Sequence, residues 1–212
     1  MSHKIEQIDP QNPDPALISK AAGIIRNGGV VVFPTRGLYG LAANAFNKIA
    51  IERVFAIKQR PSDRPILILF QSVDGLDRLV QSVPPSAAAI MAHFWPGRIT
   101  IVFNASSTLL PALTAGTGRI GVRLPGYSVA LELVSAVGGP VTGTSANISG
   151  EVGFSKIDDI DRSVLDQADL VLDAGELKGG PGSTVIDVTV DPPEILREGA
   201  VPAGEIKALL EG

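Results

Sequence analysis

Pro15-Ala16-Leu17-Ile18-Ser19-Lys20-Ala21-Ala22-Gly23-Ile24-Ile25-Arg26-Asn27-Gly28-Gly29-Val30-Val31-Val32-Phe33-Pro34 carries two hydrophobic periods in succession. Leu17, Ala21, Ile24 and Ile25 share one helical face, and Gly28-Gly29 supplies a left-handed stop. Val30 to Phe33 is then an uninterrupted β-branched run closed by Pro34, the composition of a strand covered on both faces. The alternation recurs: a helix is predicted near residues 48 to 59, through Ile51, Val54, Phe55 and Lys58, and a strand over Ile66-Leu67-Ile68-Leu69-Phe70. Further strands are expected at 99 to 103, 119 to 124, 140 to 143, 169 to 172, 184 to 189 and 194 to 197. Helices are expected at 75 to 81, 85 to 94, 128 to 137, 158 to 167 and 203 to 210. Strands interleaved with helices, at irregular spacing and with Pro-rich joints such as Val83-Pro84-Pro85, give an α/β fold with a mixed sheet. Residues 1 to 14, polar and carrying Pro10 and Pro13, read as a loose entry segment, and residues 15 to 212 as one domain.

Composition narrows the chemistry. The 212 residues contain 18 Lys plus Arg, 22 Asp plus Glu, two His and no Cys, a net charge of −4. Without cysteine there is no disulfide framework, thiolate metal site or cysteine nucleophile, and two histidines make a poor metal cage. The start of the chain has no apolar run of signal-peptide length, and no stretch approaches a bilayer span, so a cytoplasmic protein without a membrane segment is expected. Overall acidity argues against a broadly basic nucleic-acid surface, though a local basic groove is invisible to the sum.

Familiar nucleotide motifs fail on context. Gly116-Thr117-Gly118-Arg119-Ile120-Gly121 matches G-x-G-x-x-G but precedes a predicted strand instead of opening a helix, so it reads as a turn. Gly179-Gly180-Pro181-Gly182-Ser183-Thr184 lacks the P-loop lysine; it is either an anion-cradling loop or a tight connection between strands. Ser145, in Gly143-Thr144-Ser145-Ala146-Asn147, lacks nucleophile-elbow spacing, and His93 sits on an apolar helix, so acyl-enzyme chemistry is not expected.

Cations beside rigid turns remain. Lys58-Gln59-Arg60-Pro61-Ser62-Asp63-Arg64-Pro65 places three positive charges at a helix end between two prolines, either a phosphate clamp or a solvated terminus. Thr142 to Gly150 offers four hydroxyls and an amide after a short strand, the place where α/β sheets hold ligands, or else a plain Asx turn. Phe33 to Leu41 forms a third strand-end turn, and Arg123 and Arg197 end strands.

In this order the residues resemble the YrdC-like family. The resemblance rests on Pro34-Thr35 with Tyr39-Gly40-Leu41, Lys58-x-Arg60-Pro61, Trp95-Pro96-Gly97 with Thr100, and Gly121-Val122-Arg123-Leu124-Pro125. It continues through Thr144-Ser145-Ala146-Asn147-x-Ser149-Gly150, Gly182-Ser183-Thr184-Val185-Ile186-Asp187 and Ile195-Leu196-Arg197-x-Gly199, spanning residues 16 to 204. The resemblance implies the short, single-domain branch: an open, twisted mixed sheet flanked by helices around a positively charged cavity. It implies an L-threonylcarbamoyladenylate synthase, a nucleotidyltransferase that uses L-threonine, bicarbonate and ATP, with Mg2+ carried by the ATP and no metal site of its own. The product would serve the machinery that transfers threonylcarbamoyl to tRNA, and direct tRNA contact is a further expectation. Lys58, Arg60, Ser145 and Asn147 match the family's catalytic tetrad and would also bind ATP, with Thr144, Ser183 and Arg197. Thr35, Tyr39 and Arg123 would hold threonine or the carbamoyl group. Where relatives commonly have an acidic residue and a threonine after Pro-Thr, this chain has Arg36 and Gly37. That difference motivates a different acceptor as one alternative, and a noncatalytic tRNA- or double-stranded-RNA-binding role is another.

Overall fold

The computed structural model describes residues 5–211. Part of the expected entry segment, residues 1–4, and Gly212 lie outside the described residues. The remainder of that segment is not loose. β1 (Ile5–Gln7) pairs in parallel with a strand some 166 residues away, Ile8 behind it is buried, and Pro10 O accepts a hydrogen bond from Ser128 Oγ.

α1 (Pro15–Arg26) forms where the periodicity predicts it. Asp14 accepts from Ala16 N–H and proline occupies the first turn, so both termini signals agree with the apolar face. Gly28, at φ 84°, reverses the chain into β2 (Val31–Pro34), which returns antiparallel as β3 (Tyr39–Ala42). Tyr39 to Leu41 had read as part of a turn: Gly40 interrupts the strand pattern, yet a Cβ there would lie 3.0 Å from Phe33 and 3.1 Å from Thr144 O. α2 (Lys48–Ile57) follows, then β4 (Ile68–Leu69), α3 (Pro85–Phe94), β5 (Ile99–Asn104), the single turn α4 (Pro111–Thr114) and β6 (Arg119–Arg123). α5 (Ser128–Val137), β7 (Val141–Thr142), β8 (Thr144–Ser145), α6 (Arg162–Gln167) and β9 (Leu170–Asp173) lead to β10 (Thr184–Asp187), β11 (Glu194–Arg197) and α7 (Ala203–Glu211). The helix expected over 75 to 81 is a 3-10 turn, Val73–Arg78, and that expected over 158 to 167 is broken before Asp161, which caps α6. No helix among the described residues is long and apolar enough to cross a membrane.

The single sheet expected from the sequence is two. One has the order β1-β9-β2-β3-β8 and the other β11-β10-β5-β6-β4-β7. The chain passes from one to the other within a single residue: β7 pairs with β4, β8 pairs with β3, and only Gly143 separates them. A Cβ on Gly143 would lie 2.5 Å from Leu67 and 2.8 Å from Leu69, so the crossing needs glycine. β2 shows how the two layers share a core. Val31 and Phe33 pack under α1 and α5, whereas Val30 and Val32 face the larger core between the sheets. Each such fully buried side chain contributes about 1.5–3 kcal/mol.

The end of the second sheet is fastened by Thr184. Its buried Oγ1 donates to Val201 O at 2.6 Å and accepts from Gly199 and Val201 N–H at 2.9 and 3.0 Å. A Cβ on Gly199 would lie 2.4 Å from Gly182 O and 2.7 Å from Ser183 O, both backbone. Gly199→Ala is therefore expected to lower stability by about 1–3 kcal/mol in urea unfolding. An unchanged midpoint would mean that this fastening gives way freely.

Candidate active site

After β2 the chain turns through residues 35 to 38. Thr35 closes the turn by donating to Leu38 O from both its N–H, at 3.1 Å, and its Oγ1, at 2.6 Å. Gly37 touches the distant glycine-rich loop: Gly179 N–H donates to Gly37 O at 3.0 Å, and a Cβ on Gly37 would lie 2.7 Å from Gly179 O. Gly37 is thus the residue that lets these two loops meet. Tyr39 is buried, its hydroxyl donating to Gly175 O at 2.7 Å and accepting from Ala174 N–H at 3.0 Å. Burial, with Asp173 beside it, holds this phenol well above its usual range.

Lys58 caps α2, and the next residue, Gln59, takes a left-handed φ of 48°, with Arg60 N–H returning to Phe55 O at 2.9 Å. That reversal turns Lys58 inward. The residue is 1% exposed, and its Nζ donates to Ser145 O at 2.5 Å, Asn147 O at 2.8 Å and Asn147 Oδ1 at 2.9 Å. All three ammonium protons are thereby engaged. Asn147 Oδ1 also accepts from Ser145 Oγ, and its Nδ2 donates to Glu151 O at 2.7 Å. Lys58, Ser145 and Asn147 form one unit that fixes the turn after β8. Arg60 is held by its own loop, Nε donating to Arg64 O at 3.1 Å and Nη2 to Pro65 O at 2.6 Å. Burial, then Arg64, lowers the Arg60 pKa.

Burial, reinforced by Arg60, pushes Lys58 down to about 7 from 10.5. Between those values the unfolded chain binds a proton that the folded chain does not. This group therefore makes the fold more stable as pH rises from about 7 towards 10.5, and the contribution is lost as pH falls through 7. Urea midpoints of the wild type and Lys58→Met at pH 7 and pH 9 should separate further at the higher pH, in favour of the wild type. Parallel behaviour would contradict the depressed titration.

A cavity of about 960 Å³ opens between the Thr35–Gly40 turn, the Thr144–Gly153 segment and the ends of the second sheet. Thr35, Tyr39, Arg60, Arg123, Thr144, Ser145, Ser183 and Arg197 line it. Of the residues singled out in the sequence, Lys58 and Asn147 are not among the lining; they stand behind Ser145. Thr142, inside the same hydroxyl-rich segment, is structural: its Oγ1 donates to Leu41 O and accepts from Ala43 N–H, tying the sheets together. Arg123, ending β6, donates from Nε to Gly97 O at 2.8 Å, so the Trp95-Pro96-Gly97 turn aims it. Ser183 Oγ lies 2.7 Å from Thr100 Oγ1, and Arg197 Nη2 donates to Ser183 O at 2.6 Å. The glycine-rich loop of residues 179 to 183 lies on the cavity wall, and of Gly116 to Gly121 the first three residues form the turn, with Gly116 and Gly118 at positive φ, while Arg119 to Gly121 already belong to β6.

Sequence reasoning passed over Arg98, Lys178 and Glu151. Arg36, Arg60, Arg98, Arg123, Lys178 and Arg197 all line the cavity, whose single lining carboxylate is Glu151. The signal available for Arg98 was its place between Trp95-Pro96-Gly97 and the predicted strand at 99.

A protein-family model described as "Telomere recombination", covering Sua5, YciO and YrdC, matches residues 23–199. The chain belongs to the Sua5/YciO/YrdC family. Within it, the chain is 37% identical over 190 residues to threonylcarbamoyl-AMP synthase of Pyrococcus abyssi, covering 90% of this chain and 56% of that protein. The Bacillus subtilis threonylcarbamoyl-AMP synthase is 31% identical over 207 residues, covering 97% and 60%. The chain thus spans somewhat more than half the length of these relatives. A putative threonylcarbamoyl-AMP synthase of Mycobacterium tuberculosis is 33% identical over 210 residues, covering 99% and 96%. Among solved family structures, P. abyssi Sua5 complexed with L-threonine has a TM-score of 0.93 at 35% identity, covering 97% of this chain and 60% of that one. Escherichia coli YciO has a TM-score of 0.86 at 30% identity, covering 95% and 98%.

Proposed function

We propose that this chain is an L-threonylcarbamoyladenylate synthase, joining L-threonine, bicarbonate and ATP into threonylcarbamoyl-AMP with release of pyrophosphate. The likeness to the L-threonine complex of P. abyssi Sua5 carries the reading, and the cavity supplies groups suited to the chemistry. The threonine amine attacks the bicarbonate carbon with loss of water, giving a carbamate. A carbamate oxygen then attacks the α-phosphorus of ATP, and the bond from that phosphorus to the β-bridging oxygen breaks.

Two anions have to approach for this displacement, and six cations around the cavity, with one carboxylate, lower that repulsion. Arg60 and Ser145 act at the reacting groups; Lys58 and Asn147 hold the Ser145 turn in place. Thr35, Tyr39 and Arg123 position threonine and its carbamate, and Thr144, Ser183 and Arg197 the nucleotide. Preorganisation by this hydrogen-bonded unit supplies orientation without a covalent enzyme intermediate. Magnesium enters with ATP as part of the substrate, held by phosphate oxygens and water. We further place the reaction in the cytoplasm, feeding the machinery that transfers threonylcarbamoyl to tRNA.

Exchange of labelled pyrophosphate into ATP tests the reading, because a reversible adenylation returns label only when the acceptor is present. Exchange is expected to require both L-threonine and bicarbonate. Exchange supported by a different amino acid would favour the alternative acceptor, a reading motivated by Arg36 on the cavity wall. No exchange with any acceptor would contradict the synthase.

A further inference from the structure

β9 ends at Asp173, and from there the chain runs through Ala174 and Gly175 to the stretch from Lys178 to Ser183, which lines the cavity. Three contacts fasten it on the way. The Tyr39 hydroxyl accepts from Ala174 N–H at 3.0 Å and donates to Gly175 O at 2.7 Å, Leu177 N–H donates to Ser155 O at 2.9 Å, and Gly179 N–H donates to Gly37 O. The main chain of Tyr39 is tied to the other side of the cavity. Its O accepts from Ala146 N–H at 2.9 Å, its N–H donates to Phe154 O at 2.9 Å, and the next residue, Gly40, pairs with Ser145. One buried residue thus joins the Ser145 turn, through its backbone, to the wall loop, through its side chain.

Asp173 sets the direction of that hydroxyl. Its Oδ1 accepts from Gly175 N–H at 2.8 Å and lies 3.1 Å from the Tyr39 hydroxyl, while its Oδ2 accepts from Gln7 Nε2 at 2.6 Å. The phenol reaches from β3 past β2 to β9, and Gln7 holds the carboxylate from β1, where it pairs with Asp173 in register. Burial foremost, with the Asp173 carboxylate added and the Ala174 N–H opposing, keeps the proton on the phenol. Asp173 does not line the cavity, so its effect on a bound molecule passes through Tyr39 and the loop.

We infer that Asp173 is a positioning residue: with Gln7 behind it, it orients the Tyr39 hydroxyl and so fixes the wall loop of residues 174 to 183 against the Ser145 turn. For its effect on turnover the inference rests on the synthase reading, and it deepens that reading by giving a role to a carboxylate outside the cavity and to the first strand. A wall held this way keeps two bound reactants in line, whereas a loose one binds them without aligning them. Loss of the link therefore lowers kcat more than it raises KM.

Steady-state adenylate formation and amide hydrogen exchange of the full chain test it, with Asp173→Ala, Asp173→Asn, Tyr39→Phe and the double variant of Asp173→Ala with Tyr39→Phe. Asp173→Ala is expected to lower kcat about 30-fold while KM for ATP and L-threonine stays within about threefold. Asp173→Asn still accepts from Gly175 N–H and meets a reversed Gln7 amide, so its kcat should stay within about threefold of the wild type. Tyr39→Phe should match Asp173→Ala in kcat, and the double variant should be no worse than either, because both changes break one link. Amides of residues 174 to 179 should exchange about tenfold faster in Asp173→Ala, with those of α1 unchanged. Thermal unfolding checks each variant, and Asp173→Ser, with a hydroxyl still able to accept from Gly175 N–H, replaces an alanine variant that does not fold. Losses that multiply in the double variant, or wild-type kcat in folded Asp173→Ala, would overturn the assignment. The two readings fail separately. A wild type that forms adenylate, with kcat and exchange untouched by Asp173→Ala, removes Asp173. A wild type that forms none, with loop exchange still dependent on Asp173, keeps the anchored loop and removes the synthase.

Discussion

Lys58→Met is expected to lower adenylate formation about 100-fold and to destabilise the fold by about 1–3 kcal/mol. The variant fills much of the same volume but donates nothing, leaving Ser145 O and Asn147 O without their ammonium partner and Asn147 Oδ1 with only Ser145 Oγ. Losing a buried charge offsets part of that cost, which keeps the stability effect modest. The activity effect is larger because Lys58 stands behind the cavity wall and fixes Ser145 within it. A residue acting this way changes kcat more than the affinity for ATP. Steady-state kinetics with denaturant unfolding on the same samples separates the two. Normal kcat in a destabilised protein would show that the Ser145 turn holds its position without Lys58.

Arg123→Ala is expected to reduce kcat/KM for L-threonine by about 100- to 1,000-fold with little loss of stability. Arg123 is aimed by Gly97 O at 2.8 Å and meets no carboxylate among the described residues, so its favourable partner in the cavity is an anion. Removing it leaves the fold one carbonyl hydrogen bond poorer and, on the proposed reading, the threonine carbamate without its cation. Arg123→Lys should recover only part of the loss, because a single ammonium cannot reproduce the fork. Unchanged kcat/KM in Arg123→Ala would place the threonine carbamate elsewhere.

The helix of residues 15 to 26, the Gly28 reversal and the strand after it are legible because cap, periodicity and breaker agree locally. β1 is not, since three residues form a strand only through pairing with β9 far along the chain. β3 and β8 escape for a related reason: Gly40 and the two-residue span Thr144–Ser145 carry little strand preference and are set by the neighbour they pair with. The division into two sheets turns on Gly143, where the need for glycine comes from Leu67 and Leu69, contacts that no local pattern displays.

At the site, the sequence supplies the cationic turns and the hydroxyl-rich segment but not their depth. Lys58 and Arg60 look equivalent in a Pro-bracketed loop. The left-handed Gln59 between them sends Lys58 behind Ser145, while Arg60 reaches the cavity wall. Arg98 shows the converse: a residue before a strand reaches the cavity wall only once the strand order places β5 between β10 and β6.

The central claim is that this cavity joins a threonine carbamate to the α-phosphate of ATP. It is tested most directly by incubating the protein with ATP, magnesium, L-threonine and labelled bicarbonate, then separating the nucleotides rapidly enough to recover a labile mixed anhydride. The account predicts labelled threonylcarbamoyl-AMP that disappears when any one substrate is omitted. Folded, ATP-binding protein that yields no labelled adenylate would contradict it.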